Sequence, residues 1–249
     1  MLSSLFALFL LAQVIAPSGV TNAASYASGF ISPGEIIAIF GHGLGPTELV
    51  PLQLDKAGRV ATTLAGVTVT IDGRLAPLLY VSAEQVGAIV PYGISSATPR
   101  VIVTYRGSPS PAASLTFAEA QPAIFSLDSS GTGQAAAFNQ DGSLNGSQNP
   151  ASKGAVISLY GTGEGHTNPG GTDGQIALAG APRPVLPVSA TVGGFPATVL
   201  YAAAAPTQVA GLFQVNLRVP SEAASGPAVP VVLKIGSKSS PKSVTIAVQ

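Results

Sequence analysis

The sequence predicts an all-β protein of two tandem sandwich domains, and three observations carry that expectation. An apolar run that breaks into alternating glycines occurs twice, as Ile36-Ile37-Ala38-Ile39-Phe40-Gly41-His42-Gly43-Leu44-Gly45 and as Val156-Ile157-Ser158-Leu159-Tyr160-Gly161-Thr162-Gly163-Glu164-Gly165. Strand-like segments follow each copy in the same order, roughly every 8 to 15 residues, separated by turn residues. No helix-period pattern of useful length interrupts them.

Composition sets the broad class. The 249 residues are 46 % hydrophobic and only 9 % charged, and 11 basic side chains balance 11 acidic ones. Such a chain has the apolar content to fold. It lacks the basic footprint that nucleic acid requires, or that an electrostatic hold on anionic lipid requires. The 29 Gly and 21 Pro, spread among Val, Ile, Leu and Thr runs, read as turns between many short strands. With no cysteine, stability rests on core burial, and thiolate metal sites and Cys nucleophiles are excluded.

Leu5 to Ala16 is an apolar stretch followed by Pro17, Gly19 and the small residues Thr21-Asn22-Ala23-Ala24. It is shorter than the roughly 20 residues that span a bilayer. The expectation is a signal peptide over residues 1–23, cleaved after Ala23, and a secreted, extracellular, cell-surface or periplasmic protein with no membrane span in its mature chain. No Lys or Arg precedes the run, the first cation being Lys56. The alternative is a buried strand or core helix of the mature fold.

In the first half, Ser32-Pro33-Gly34-Glu35 reads as a turn, with Pro presetting φ and Gly accepting a positive one. Ile36–Phe40 is apolar on both faces and so expected to be covered on both. Val67-Thr68-Val69-Thr70-Ile71 alternates with the period of a half-buried strand. Asp72-Gly73 is a strong hairpin signal, and Ala76 to Val81 is the expected return strand. Gln85 to Pro91, Val101 to Tyr105 and Ser114 to Phe117 complete the set.

The second half repeats this order at an offset of about 120 residues (156 − 36). Gly193-Gly194 stands for Asp72-Gly73, and Ala197 to Tyr201 for Ala76 to Tyr80. Phe213 to Pro220 stands for Gln85 to Pro91, Val231 to Gly236 for Ile102 to Gly107, and Val244 to Ile246 for Leu115 to Phe117. Between Tyr201 and Pro220 the second copy is longer by eight residues. Matched elements in one order imply a duplicated domain of immunoglobulin-like profile. The expected units are 24–121 and 122–249, with a short linker at Gln121-Pro122-Ala123. The Ser-, Gly- and Asn-rich stretch Asp128 to Asn149 would add a hairpin turning at Asp141-Gly142.

These residues also carry a family resemblance. Asn22-Ala23-Ala24-Ser25, Ser32-Pro33-Gly34-Glu35 with Ile39-Phe40-Gly41, and Gln134-Ala135-Ala136 with Asn139-Gln140-Asp141-Gly142 are present, as are Gly161-Thr162-Gly163, Gln214-Val215-Asn216 and Val219-Pro220. Together they resemble the Solibacter-type C-terminal domain family, found at the ends of large secreted acidobacterial proteins, over about residues 22 to 249. The halves resemble IPT/TIG-type immunoglobulin-like domains. The resemblance implies secretion and a pair of β-sandwiches. It supplies no catalytic residues and no established activity.

The search for chemistry centres on the loop Gly163 to Gly174, where Glu164, His166 and Asp173 form the candidate ligand loop. Carboxylate and imidazole there suit a metal, a sugar or a hydrolytic set, and a solvated turn-rich loop is the alternative. The glycine loops lack the spacing, following helix and lysine of a phosphate loop, so their glycines are read as permitting a bulge or tight crossing near the neighbouring domain. Asn139, Asp141, Ser143 and Asn145 alternate oxygen ligands without the closing acid of a calcium loop, and a plain hairpin turn accounts for them. Tyr80, Tyr160 and Tyr201 are strand-end aromatics, read as packing rather than as a glycan platform. No cofactor is implied. The leading expectation is a secreted, non-enzymatic interaction module whose partner is a protein or glycan at the cell surface. A self-associating spacer or assembly domain is the second reading, and a hydrolase built on the ligand loop the third.

Overall fold

The computed structural model describes residues 13–178 and 182–249. It is all-β with an immunoglobulin-like fold. Two separate apolar cores lie along the chain. The first draws on residues from Val20 to Leu115, around Ile37, Ile39, Val69, Ile71 and Leu78. The second draws on residues from Ala120 to Val248, around Ile157, Leu159, Phe213 and Leu233. Fully burying such side chains contributes about 1.5–3 kcal/mol each, which is how a chain without disulfides holds sandwiches of this size.

The apolar run of each repeat is the central strand of its half. Ile36–His42 is buried at nearly every position and pairs antiparallel with Gln85–Ile89 on one side. Val156–Thr162 pairs likewise with Phe213–Arg218. Both strands continue through the first glycine and the residue after it. The glycines permit this because a flanking strand crosses at close range. A side chain at Gly41 would meet the Val14 carbonyl, and one at Gly161 the Ala123 carbonyl.

Val67–Ile71 alternates buried and half-buried residues, as its pattern predicts. Asp72 and Gly73 turn with φ of 50° and 74°, the conformation of a type I′ hairpin. The return strand differs from expectation. Arg74–Leu75 pairs with Val67–Ile71 for two residues, and Leu78–Val81 then joins the opposite sheet against Gln85–Ile89. In the second half Phe195–Ala204 runs unbroken from one sheet to the other, with a bulge between Val199 and Tyr201. Pro77 stands where the second copy has Thr198. Proline has no N–H to give a ladder, so the first copy is interrupted there. The unbroken crossing strand makes the second half one continuous ten-stranded sheet, folded on itself.

The strand flanking each central strand also differs between the halves. Val14–Asn22 pairs with Ile36–His42 at both its ends, with an irregularity between Ile15 and Val20. In the second half two short strands share this role. Ala123–Ile124 pairs with Gly161–Thr162, and Ala137–Asn139 pairs with Ile157–Leu159. The Ser/Gly/Asn-rich stretch begins between them and continues into the expected hairpin. Asn139 N donates to the Ser143 carbonyl, and Gly142 takes φ +81° at the turn. Asn145 is buried beneath this hairpin. Its amide donates to the Ala247 carbonyl, and its carbonyl accepts the Ala247 N–H. The alternating oxygens of residues 139–145 thus bond to the protein's own groups. Tyr160 packs edge-on to Phe138 with centroids 6.1 Å apart, and the Tyr80 hydroxyl accepts the Gln85 amide.

Residues 1–12 of the expected signal peptide lie outside the described residues. Val14–Asn22 is the edge strand of the first sandwich, so cleavage after Ala23 would remove it. It would also remove Asn22, whose side-chain carbonyl accepts the N–H groups of Ala24 and Ser25. A chain comprising 24–249 should therefore melt roughly 5 °C or more below one comprising 13–249. Calorimetry of the two chains checks this, and equal melting temperatures would show the strand to be dispensable.

Candidate functional site

The loop after the second central strand meets the turn before the first one where the halves join. Three alternating glycines let the second loop lie against the linker. Side chains at Gly161, Gly163 and Gly165 would collide with the carbonyls of Ala123, Gln121 and Glu119 respectively. Gln121 N in turn donates to the Gly163 carbonyl at 2.9 Å. Thr162, on the strand between two of those glycines, links the first half to the insertion of its own half. Its hydroxyl oxygen accepts the Ile36 N–H at 2.7 Å, and its hydroxyl donates to the Gly211 carbonyl at 2.8 Å.

Two carboxyl groups are sealed into this junction. Glu35 closes the Ser32–Glu35 turn and is fully buried. One of its oxygens accepts the Ser32 N–H and hydroxyl, and the other accepts the Asn22 amide, which also donates to the Gln121 carbonyl. Burial pushes the Glu35 carboxyl up to about 8 against the pull of those donors, and nearby Glu164 adds to the rise. Glu164 is equally buried. Its Oε1 accepts the Tyr92 hydroxyl at 3.0 Å, while its Oε2 has no hydrogen-bond partner among the described residues. Burial pushes it up to about 7, against the pull of its own backbone N–H and the Tyr92 hydroxyl.

Tyr92 is the pivot between them. Its ring lies between Gly34 of the first half and Gly171 of the second, where a side chain at either glycine would overlap it. Its hydroxyl is pushed well above the ordinary phenol range by burial and by Glu164. Its backbone N–H donates to Asp173 Oδ1 at 2.8 Å. Next to Asp173, the Gly174 carbonyl accepts the Val60 N–H at 2.8 Å.

Of the three candidate loop residues, Glu164 and Asp173 thus come together on Tyr92, one on its hydroxyl and one on its backbone. His166 is exposed, with its backbone carbonyl accepting the Val185 N–H, and takes part in neither contact. Glu164 meets no solvent, so the pair acts on the junction between the halves. Tyr92 carried no motif in the sequence, and Glu35 stood there only as the last residue of the Ser32–Glu35 turn. The signal that could have found Tyr92 was its place in Pro91-Tyr92-Gly93, an aromatic set immediately after a strand that ends at proline.

A cavity of about 290 Å³ opens beside Tyr92. Pro169 to Thr172 of the loop form one wall, with Gln175 and Ala177. Ala204 and Ala210, which flank the extra residues of the second copy, form another. Gly211 of that same insertion abuts the Gly34 carbonyl. The insertion therefore both shapes the cavity and seats the first half. The lining is chiefly apolar, with the Thr172 hydroxyl and the Gln175 amide as side-chain polar groups from the second half.

Residues 20–118 match the IPT/TIG domain family. No curated protein matches the chain in sequence. Among solved structures, it is similar to SGBP-B from a complex xyloglucan utilization locus in Bacteroides uniformis. The identity is 10 % and the TM-score 0.27, covering 92 % of this chain and 48 % of that one. It is also similar to SGBP-B of the Bacteroides ovatus mixed-linkage glucan utilization locus in complex with a mixed-linkage heptasaccharide, at 13 % identity and a TM-score of 0.34, covering 88 % and 43 %. The extracellular region of plexin A4 is similar at 14 % identity and a TM-score of 0.30, covering 91 % and 17 %. The chain spans less than half of each of these three.

The sealed carboxyls make stability depend on pH with a definite sign. Their folded values lie above the ordinary carboxyl value of 4.5. Above pH 4.5 the unfolded chain releases protons that the folded chain keeps, so stability falls as pH rises until both groups have ionised near pH 7 to 8. Glu164→Gln keeps an acceptor for the Tyr92 hydroxyl and removes one of the two ionisations. The melting temperature of the wild type should fall between pH 5 and pH 9, and that of the variant should fall less, the two being close at pH 5. Parallel curves would refute the assignment. Tyr92→Phe leaves Glu164 without its donor and should cost about 1–3 kcal/mol, more at pH 8 than at pH 5, as denaturant titration at the two pH values would show.

Proposed function

We propose that this protein is a secreted, non-enzymatic binding module that engages a glycan or protein partner at the cell surface through the cavity beside Tyr92. The cavity carries the reading. It is concave, chiefly apolar, ringed by a few polar groups and built by both halves, which is the character of a binding site. The IPT/TIG domain and the immunoglobulin-like fold support a recognition role, although a fold by itself does not assign one. The chemistry of the loop supports it too. The one acid there with a strongly raised value, Glu164, is closed off from any substrate and spent on Tyr92. Secretion belongs to the same proposal, as do two units of 24–121 and 122–249, the first keeping the preceding edge strand Val14–Asn22.

A specific observation favours a second reading, that of a rigid spacer within a larger secreted assembly. The hydrogen bonds that Ile36 donates to Thr162, Gln121 to Gly163, Tyr92 to Glu164 and Asp173, and Val60 to Gly174 hold the halves at a fixed angle. That is what a spacer requires and what a flexible tether would lack.

Glycan and protein arrays probed with the purified protein separate the readings. Leu178 is 71 % exposed on the cavity rim, so Leu178→Asp should fold normally. On the binding reading it weakens every array hit about tenfold or more. Ala210→Leu, which narrows the cavity, should do the same. Silence across the arrays, or hits that both variants retain, would remove the cavity as the binding surface and leave the spacer.

A further inference from the structure

A second cleft, of about 580 Å³, lies on the first half at the tip of the Asp72-Gly73 hairpin. Its lining includes Asp72, Arg74, Arg100, Ser95, Ser96 and Gly93. Two features mark it as a built surface. Arg74 rests its guanidinium on Gly93, where even a β-carbon would come within 2.9 Å of Cζ and Nη1. Arg100 is fixed by its backbone, donating its N–H to Asp72 Oδ1 at 2.9 Å while its carbonyl accepts the Asp72 N–H at 3.1 Å.

Both arginines lack a partner for their charge. Among the described residues the one ion pair is Arg59 with Asp55, and neither the Arg74 nor the Arg100 guanidinium makes a hydrogen bond to a described residue. Two guanidinium forks therefore stand in one concave, polar surface in a chain that is only 9 % charged. Guanidinium matches the planar carboxylate in a two-pronged bond. Among the described residues nothing bonds Asp72 Oδ2 or the Ser95 hydroxyl, and the Ser96 hydroxyl, which accepts the Thr98 N–H, keeps its proton to donate.

We propose that this cleft binds an acidic polysaccharide by the carboxylate of a uronic acid. The carboxylate lies on the guanidinium groups of Arg74 and Arg100, and the ring hydroxyls of the same sugar bond to Asp72 and to the serines. The combination of cation, carboxylate and hydroxyl selects the ligand. A neutral sugar leaves both guanidinium groups unpaired. A nucleic acid needs a run of cations along its phosphates, which two arginines in a chain of zero formal net charge do not supply, whereas one uronate needs a single carboxylate contact. A peptide strand would need a free sheet edge or apolar pockets, whereas Ile94 and Ile102 are the large apolar residues of the cleft. The site is separate from the cavity beside Tyr92, so failure here leaves that reading standing, and the reverse also holds.

Titration with an oligogalacturonate, followed by calorimetry and by amide chemical shifts, tests the proposal. Galacto-oligosaccharides of equal length, neutral in one arm and sulfated in another, serve as comparisons. Binding of the uronate is expected, with shifts at residues 72–74 and 93–100, and it should weaken as salt is added. Arg74→Gln combined with Arg100→Gln should reduce affinity about tenfold or more. Gly93→Ala, which displaces the guanidinium while keeping its charge, should reduce it severalfold. No binding, equal binding of the neutral oligosaccharide, or wild-type affinity in the double variant would overturn the proposal. Equal binding of the sulfated one would show a general anion surface and would overturn it too.

Discussion

The structure turns on one side chain. Tyr92 leaves the end of a strand in the first sandwich and passes its ring between a glycine of its own half and a glycine of the other. Its hydroxyl then reaches Glu164, and its backbone reaches Asp173. Those contacts impose conditions on distant parts of the chain. Gly34, whose φ of 73° serves a turn, must also lack a side chain so that the ring fits. The loop Gly163–Gly174 must lie flat on the linker, which is why its glycines alternate. The acid that accepts the hydroxyl must give up its water, which is why it holds its proton near neutrality. The raised Glu35 beside it follows from the same burial.

Duplication supplied the two sandwiches, and the departures from symmetry supplied the junction. Where the first copy has Pro77 its crossing strand is broken. Where the second has Thr198 the strand runs on and carries Tyr201 to Ala204 toward the other half. The residues added after Ala204 in the second copy lie against Gly34 and line the cavity. His42 of the first copy is exposed. Its counterpart Thr162 is fully buried, accepting from Ile36 across the junction and donating to Gly211 of its own half. Features that the copies share build the cores, and features that differ build the site.

This division explains what could be read from the residues alone. Strands were legible because burial on one or both faces leaves a periodic mark, as at Val67–Ile71 and Ile36–Phe40. The Asp72-Gly73 and Asp141-Gly142 turns were legible because few residues tolerate positive φ. The role of the alternating glycines in a close crossing was legible because only glycine leaves room for a backbone carbonyl at that range. Tyr92 and Glu35 were not. Glu35 depends on Asn22 of a neighbouring strand and Tyr92 on what the other half brings to it, and no local period records a contact 72 residues away, such as that from Tyr92 to Glu164. The loop containing Glu164, His166 and Asp173 was legible as a place. Burial of Glu164 and exposure of His166 are products of tertiary packing, so the chemistry of the loop was not.

The central claim is that the Tyr92 contact and its neighbours join the two halves into one body. Residual dipolar couplings measured on the protein at pH 5.5, where the buried carboxyls keep their protons, test it most directly. The account predicts that one alignment tensor fits the couplings of both sandwiches. Two tensors of different magnitude or orientation would mean that the halves move independently, and would contradict it.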